Sequence, residues 1–226
     1  MDISFLKDFI DFFFPRICLH CRIEKCSVDE FLCDNCFYTL EKINLELSDV
    51  KLKSINAGFN NLNNLFSLYL FQKDKPIQTL LHELKYQNKF LIGEILGKRL
   101  AKDYFPHLSK LNIDVVIPIP LHKIKKAERG YNQSYYFAKG LSNALKCKLD
   151  SKLVIRKKFT VSQTLLSKEE RRANMSEAFF INKNIPYKNI LLVDDVITTG
   201  STINACAAEI KKHHDVNIFA ASIAIV

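Results

Sequence analysis

The densest chemistry in the sequence lies in Asp194-Asp195-Val196-Ile197-Thr198-Thr199-Gly200-Ser201-Thr202. Adjacent carboxylates are acceptors that can take both vicinal hydroxyls of a ribose. Hydroxyl side chains, backbone amides and the positive end of a helix dipole are what a 5′-phosphate needs, and Thr198 to Thr202 can supply them. Gly200 allows close backbone approach or a positive φ. Taken singly, these residues could be two solvated acids and a hydroxyl cap. Their order, from acids through hydroxyls and glycine to a helix start, favours a ribose-phosphate cradle. A magnesium-binding strand of a nucleotide hydrolase is the rival reading, and it requires a phosphate loop. The nearest candidate, around Gly93, Gly97 and Lys98, is one residue short and lacks the hydroxyl.

A second constellation sits near the N-terminus. Cys18-Leu-His-Cys21 and Cys33-Asp-Asn-Cys36 form two CxxC pairs separated by eleven residues, and five of the seven cysteines fall within nineteen residues. This spacing suits tetrahedral binding of structural zinc by Cys18, Cys21, Cys33 and Cys36. His20 and Cys26 are spare donors. Cys147 and Cys206 are isolated and read as small buried hydrophobes.

A third group is placed to meet a highly charged anion such as a diphosphate, which normally arrives with Mg2+. The turn Pro118-Ile119-Pro120-Leu121 closes an apolar run, and Arg129 and Lys85 can add positive charge. The segment 159–180, with Gln163, Arg171, Arg172 and Asn174, is long and charged enough to act as a closing lid. The basic run 121–129 is also a candidate for nucleic-acid phosphate, with Tyr131, Tyr135 and Tyr136 beside it as stacking groups.

These residues need elements to hold them. Ile190 to Val193 reads as a buried strand of a parallel sheet ending at the acids. Ser201 or Thr202 is expected to cap a helix to about Lys212. Further strands are expected at 66–71, 114–120, 153–156 and 218–226. Helices are expected from Pro76, over 91–104, and to about Leu145 after a basic loop at 121–129. Strand–helix alternation predicts a three-layer α/β domain with a mainly parallel sheet over 65–226. A module of N-terminal helix and zinc finger is expected over 1–44, and 45–64, rich in Asn, Ser and Lys, reads as a connector with little order of its own.

The chain has 226 residues, 48% apolar content and net charge +9. That is enough for one sizeable core plus a small appendage, and it favours an anionic partner. Residues 1–14 are apolar but interrupted by Asp2, Asp8 and Asp11. They fit an amphipathic helix docked on the protein and neither an export signal nor a membrane span. The expected compartment is the cytoplasm, where reduced cysteines favour metal over disulfides.

The acid–threonine segment resembles the phosphoribosyl-pyrophosphate (PRPP) loop of type I phosphoribosyltransferases, nearest in form to the orotate enzymes. The resemblance implies acids on the ribose and the following loop on the 5′-phosphate. Purine-salvage members carry a catalytic acid where this chain has Thr198. The paired CxxC motifs, Pro-Ile-Pro-Leu followed by Arg129-Gly-Tyr-Asn-Gln133, the series Gln163, Arg171-Arg172-Ala-Asn174 and Ala-Phe179, and Val-Asp-Asp-Val-Ile-Thr-Thr-Gly together resemble the ComF family of competence proteins. That resemblance implies a zinc finger on a phosphoribosyltransferase-type domain and a cytoplasmic role with single-stranded DNA in natural transformation. Contact with DNA-uptake or helicase machinery is a further implication. Two alternatives stay open: a metabolic phosphoribosyltransferase with an unidentified acceptor, and a sensor that binds PRPP without transferring it.

Overall fold

The computed structural model describes residues 16–26, 31–56, 61–156, 179–181, 185–212 and 214–226. The expected helix within 1–14 and the lid residues Gln163, Arg171, Arg172 and Asn174 lie outside the described residues. In chain order the elements are α1 (Asp34–Tyr38), α2 (Leu45–Ile55), β1 (Asn64–Leu70), α3 (Pro76–Tyr86), α4 (Leu91–Asp103), α5 (Phe105–Leu108), β2 (Val115–Pro118), α6 (Lys123–Arg129), α7 (Gln133–Leu145), β3 (Lys148–Leu149), β4 (Val154–Arg156), β5 (Phe179–Ile181), β6 (Asn189–Ile197), α8 (Ser201–Lys211) and β7 (Asn217–Ile225).

β1, β7, β6, β2 and β3 form one five-stranded sheet in that order, with every pairing parallel. β6 is central, and Ile190 to Val193 are fully buried because both faces of the sheet are covered. Alternation along β6 sends Leu191 and Val193 into one apolar cluster, with Leu80, Leu96 and Phe137 from the helices. Ile190 and Leu192 enter the opposite cluster, with Ile203, Ala207 and Ile210 of α8. α4 and α7 cross closely because Gly97 and Gly140 carry no Cβ. A methyl at either position would run into backbone of the facing helix, Phe137 and Leu141 in one case and Glu94 in the other.

Four expectations need correction. Residues 45–64 are not simply an unstructured connector. Asn44 accepts from the Leu47 amide at 2.9 Å and caps an eleven-residue helix whose Ser48, Leu52 and Ile55 are buried on one face. Polar composition concealed an amphipathic stripe of only three positions. The basic 121–129 run is not a loop: α6 is capped by the His122 side chain and closed by Gly130 at φ 75°. Neither Ser201 nor Thr202 caps α8. That place is taken by Gly200 in the left-handed region, at φ 69°. The strand near 153–156 forms, but it leaves the main sheet and pairs antiparallel with β5.

Candidate functional site

The C-terminal ends of β2 and β6 open onto a cleft of about 340 Å3. Its lining includes Lys85 from the end of α3, Ile119, Pro120 and Leu121 from the turn after β2, and Lys125 and Arg129 from α6. Arg156 comes from the end of β4, and Asp194, Asp195, Thr198 and Thr202 from β6 and the bend beyond it. Gly200 and Ser201 line an adjoining cup of about 30 Å3, which Asp194, Thr198 and Thr202 share, while Thr199 stands exposed beside it. Pro118 is buried in the sheet opposite Val193, directly before the turn. The sequence candidates within the described residues are therefore gathered at one sheet edge. This is where a doubly covered parallel sheet places its ligand crevice.

The two acids have different surroundings. Asp194 accepts from the Ser134 hydroxyl at 3.0 Å and from the Asp195 amide at 2.9 Å. Burial first, then the neighbouring Asp195 charge, pushes its carboxyl up to about 8, against the pull of those two donors. Asp195 faces α3 and pairs with the Lys85 ammonium at 2.9 Å. The Lys85 charge, expected on a diphosphate, is here on an acid of the cleft floor.

The Arg129-Gly130-Tyr131-Asn132-Gln133 run ties the walls together. The Tyr131 hydroxyl donates to the Leu84 carbonyl, next to Lys85. The Asn132 amide donates to the Ile119 carbonyl at 2.9 Å, while its oxygen accepts from the Ser134 amide and caps α7. Arg129 donates through Nη1 to Gln133 Oε1 at 3.0 Å, and its buried Nε has no partner among the described residues. Arg156 likewise has a buried Nε without a partner among the described residues, and its guanidinium lies 5.5 Å from the centre of the Phe179 ring. Burial pulls its pKa below the usual guanidinium value, partly offset by Asp194. Buried guanidinium donors of this kind are chemically suited to an anion.

In the bend, Gly200 packs against the side chain of Ile55 so tightly that a methyl there would overlap it. Asn204 of α8 donates to the Ile55 carbonyl at 2.9 Å and accepts from Asn61 at 3.0 Å. Thr198, Thr199 and Ser201 remain exposed, with Thr199 and Ser201 hydroxyls 2.9 Å apart. As at any helix start, the first amides of α8 lack acceptors within the helix.

Sequence reading missed Arg156, Ser134 and the cleft role of Lys125. Arg156 carried one usable signal: a cation closing a short apolar strand on the crevice edge. Ser134 carried none, because its contact with Asp194 spans sixty positions.

Near the N-terminus, the sulfurs of Cys18, Cys21, Cys33 and Cys36 all lie within 4.8 Å of one another, and Cys21 and Cys33 are 3.8 Å apart. A tetrahedron of Zn–S bonds has sulfur–sulfur edges of about 3.8 Å, so the donor set fits a thiolate-bound metal such as zinc. Burial pushes the Cys18 thiol up, but amides of Cys33, Cys21 and His20 outweigh it and bring it down to about 6. Burial pushes the Cys36 thiol up. Of the spare donors, His20 pairs with Thr79 of α3 at 2.9 Å, and Cys26 stands outside the sulfur cluster. Cys18, Leu32, Cys33, Cys36 and Leu40 share the apolar cluster of α3 and α4, so the module is packed onto the larger domain.

Residues 91–224, more than half of the chain, match the phosphoribosyl transferase domain family. The chain belongs to that family. This phosphoribosyl transferase domain protein is 37% identical to Competence protein F of Haemophilus influenzae over 147 residues, covering 61% of this chain and 63% of that protein. It is 31% identical to DNA utilization protein YhgH of Escherichia coli K12 over 131 residues, 57% of this chain and 58% of the other. Against Competence protein ComFC of Bacillus subtilis it is 27% identical over 196 residues, 79% and 77% of the two chains. The chain thus spans about three fifths of the length of the first two relatives. Among the described residues, no helix of the phosphoribosyl transferase domain protein is long and apolar enough to cross a membrane.

Proposed function

We propose that the cleft binds PRPP with Mg2+, and that the chain is a cytoplasmic competence protein that handles single-stranded DNA. The observation that carries this reading is the convergence of Asp194 and Asp195, the threonine-lined bend and four cations on one cleft at the sheet edge. The acids accept from the ribose hydroxyls. The bend from Thr198 to Thr202 takes the 5′-phosphate through its hydroxyls and the first amides of α8. The turn 118–121, with Lys125, Arg129 and Arg156, faces the diphosphate, and Lys85 can turn from Asp195 toward it. Mg2+, when bound with PRPP, neutralises part of the diphosphate charge. If the C1′–diphosphate bond breaks, the same cations stabilise the departing group. Thr198 offers no proton to a purine, which supports an acceptor of another class.

Single-stranded DNA is proposed to lie on the basic face of α6 and the aromatic cluster beside it. Phe90 stacks on Tyr136 at 4.8 Å, and Tyr131 and Tyr135 meet Tyr136 edge-on at 5.4 and 5.3 Å. Cations next to aromatic rings are what a single strand requires. The competence and DNA-utilization names of the relatives support this assignment. The cysteine cluster is proposed to hold zinc as a structural ion, because four protein ligands leave no open position.

The test is calorimetry of PRPP with Mg2+ against the intact protein and against Asp194→Asn combined with Asp195→Asn. Heat in the first and none in the second is expected. No heat in either ends the PRPP reading. Filter binding of a single-stranded oligonucleotide across a salt series tests the DNA half, where affinity insensitive to salt would exclude phosphate contacts.

A further inference from the structure

α6 has no buried residue along its length and presents Lys123, Lys125, Lys126 and Arg129 around an exposed Ile124. Among the described residues none of its three lysines forms an ion pair. Two of the four cations do double duty: Lys125 and Arg129 also line the cleft. Arg129 marks the junction, since its guanidinium lies 5.4 Å from the centre of the exposed Tyr86 ring at the end of α3. Tyr86 in turn contacts His82 at 5.0 Å. The diphosphate side of the cleft and the basic face of α6 are therefore one continuous electrostatic feature. They are not two sites separated by neutral surface.

We propose that PRPP in the cleft weakens the hold on single-stranded DNA, because both anions draw on Lys125 and Arg129. The inference rests on the reading given above for the two ligands, and it adds that they are antagonists. A diphosphate with its metal, seated against these two side chains, leaves the strand with Lys123 and Lys126 on α6. By reciprocity, bound DNA must weaken PRPP binding by the same factor. Each phosphate contact with a single strand contributes about 0.7 to the slope of log affinity against log salt. Losing two contacts should flatten that slope by about 1.4 and weaken binding about 25-fold at 0.1 M salt.

The experiment measures fluorescence anisotropy of a labelled oligothymidylate with the full chain, over a salt series, with and without saturating PRPP and Mg2+. Calorimetry on the same samples reports PRPP occupancy. Weaker binding with a flatter slope is expected. In Lys125→Ala combined with Arg129→Ala the slope should already be lower by about 1.4, and PRPP should change it no further. In Lys123→Ala combined with Lys126→Ala the residual DNA binding should stay sensitive to PRPP. If PRPP binds and DNA affinity and slope do not move, or DNA binds more tightly, the antagonism is wrong while the two-ligand reading stands. If either ligand fails to bind the intact protein, that reading and the antagonism fall together.

Discussion

Binding of PRPP should expel a proton from Asp194. In the ligand-free cleft, burial and the charge of Asp195 hold this carboxyl at about 8. At pH 7 a carboxyl raised this far is mostly protonated. Ribose hydroxyls are donors and favour the ionised form, so a bound ribose should return the carboxyl toward the ordinary carboxylate range. The release from this residue is then most of a proton per site at pH 7 and only a small part of one well above pH 8. Titrations in buffers of different ionisation enthalpy measure the total release. The same titrations with Asp194→Asn remove the contribution of the ligand's own phosphates, which is common to both proteins. The difference between the proteins should therefore shrink across pH 8. Equal release in both, or a difference that does not change with pH, refutes the reasoning. A carboxyl 13C titration of the ligand-free protein reads the same group directly, and a midpoint near the ordinary carboxylate value refutes it as well.

Three further outcomes are expected. Since the folded-state pKa of Asp194 is raised, its contribution to stability is fully present below the ordinary carboxylate range and declines as pH rises to about 8. Urea midpoints of the ligand-free protein should fall over that window, and Asp194→Asn should flatten the decline. Gly200→Ala places a side chain at φ 69° and against Ile55, which should cost about 1–3 kcal/mol in chemical denaturation and weaken PRPP binding. Pairing it with Ile55→Ala should recover the overlap but not the backbone strain. Metal analysis should find one zinc per chain and none in Cys21→Ser. Chelation should loosen the packing of Leu32 and Leu40 on α3 and α4, read in the near-ultraviolet circular dichroism of the tyrosines, because structural zinc of this kind contributes about 10 kcal/mol in finger peptides.

Much of the fold and the cleft is legible in the order of the residues, because the signals are local. The apolar run 190–193 marks the central strand, and the acids and threonines after it fall where a parallel sheet opens. Leu80, Leu81 and Leu84, and Ile92, Leu96 and Leu100, keep helical spacing and form the buried faces of α3 and α4. What escapes is set by distant partners. α2 looks polar because its apolar stripe is judged only against the sheet and Gly200. The ribbon of β4 and β5 joins residues more than twenty positions apart, so neither short strand announces its partner. Lys85 can be named as a cation of the cleft, but its choice of Asp195 depends on where α3 ends in space. The cap of α8 is misread because hydroxyls at Ser201 and Thr202 suggest a side-chain cap. The backbone instead uses the conformational freedom of the glycine preceding them.

The floor under the threonine-lined bend comes from Ile55, and Lys85 comes from α3, yet the stretch that matches the family begins at residue 91. A fragment cut at that border would keep both aspartates and every threonine of the bend. It would lose the wedge beneath Gly200, the counterion of Asp195 and the edge strand β1. The smallest piece that keeps the cleft intact is thus larger than the piece that carries the family signature, and its missing supports lie upstream, toward the cysteine module.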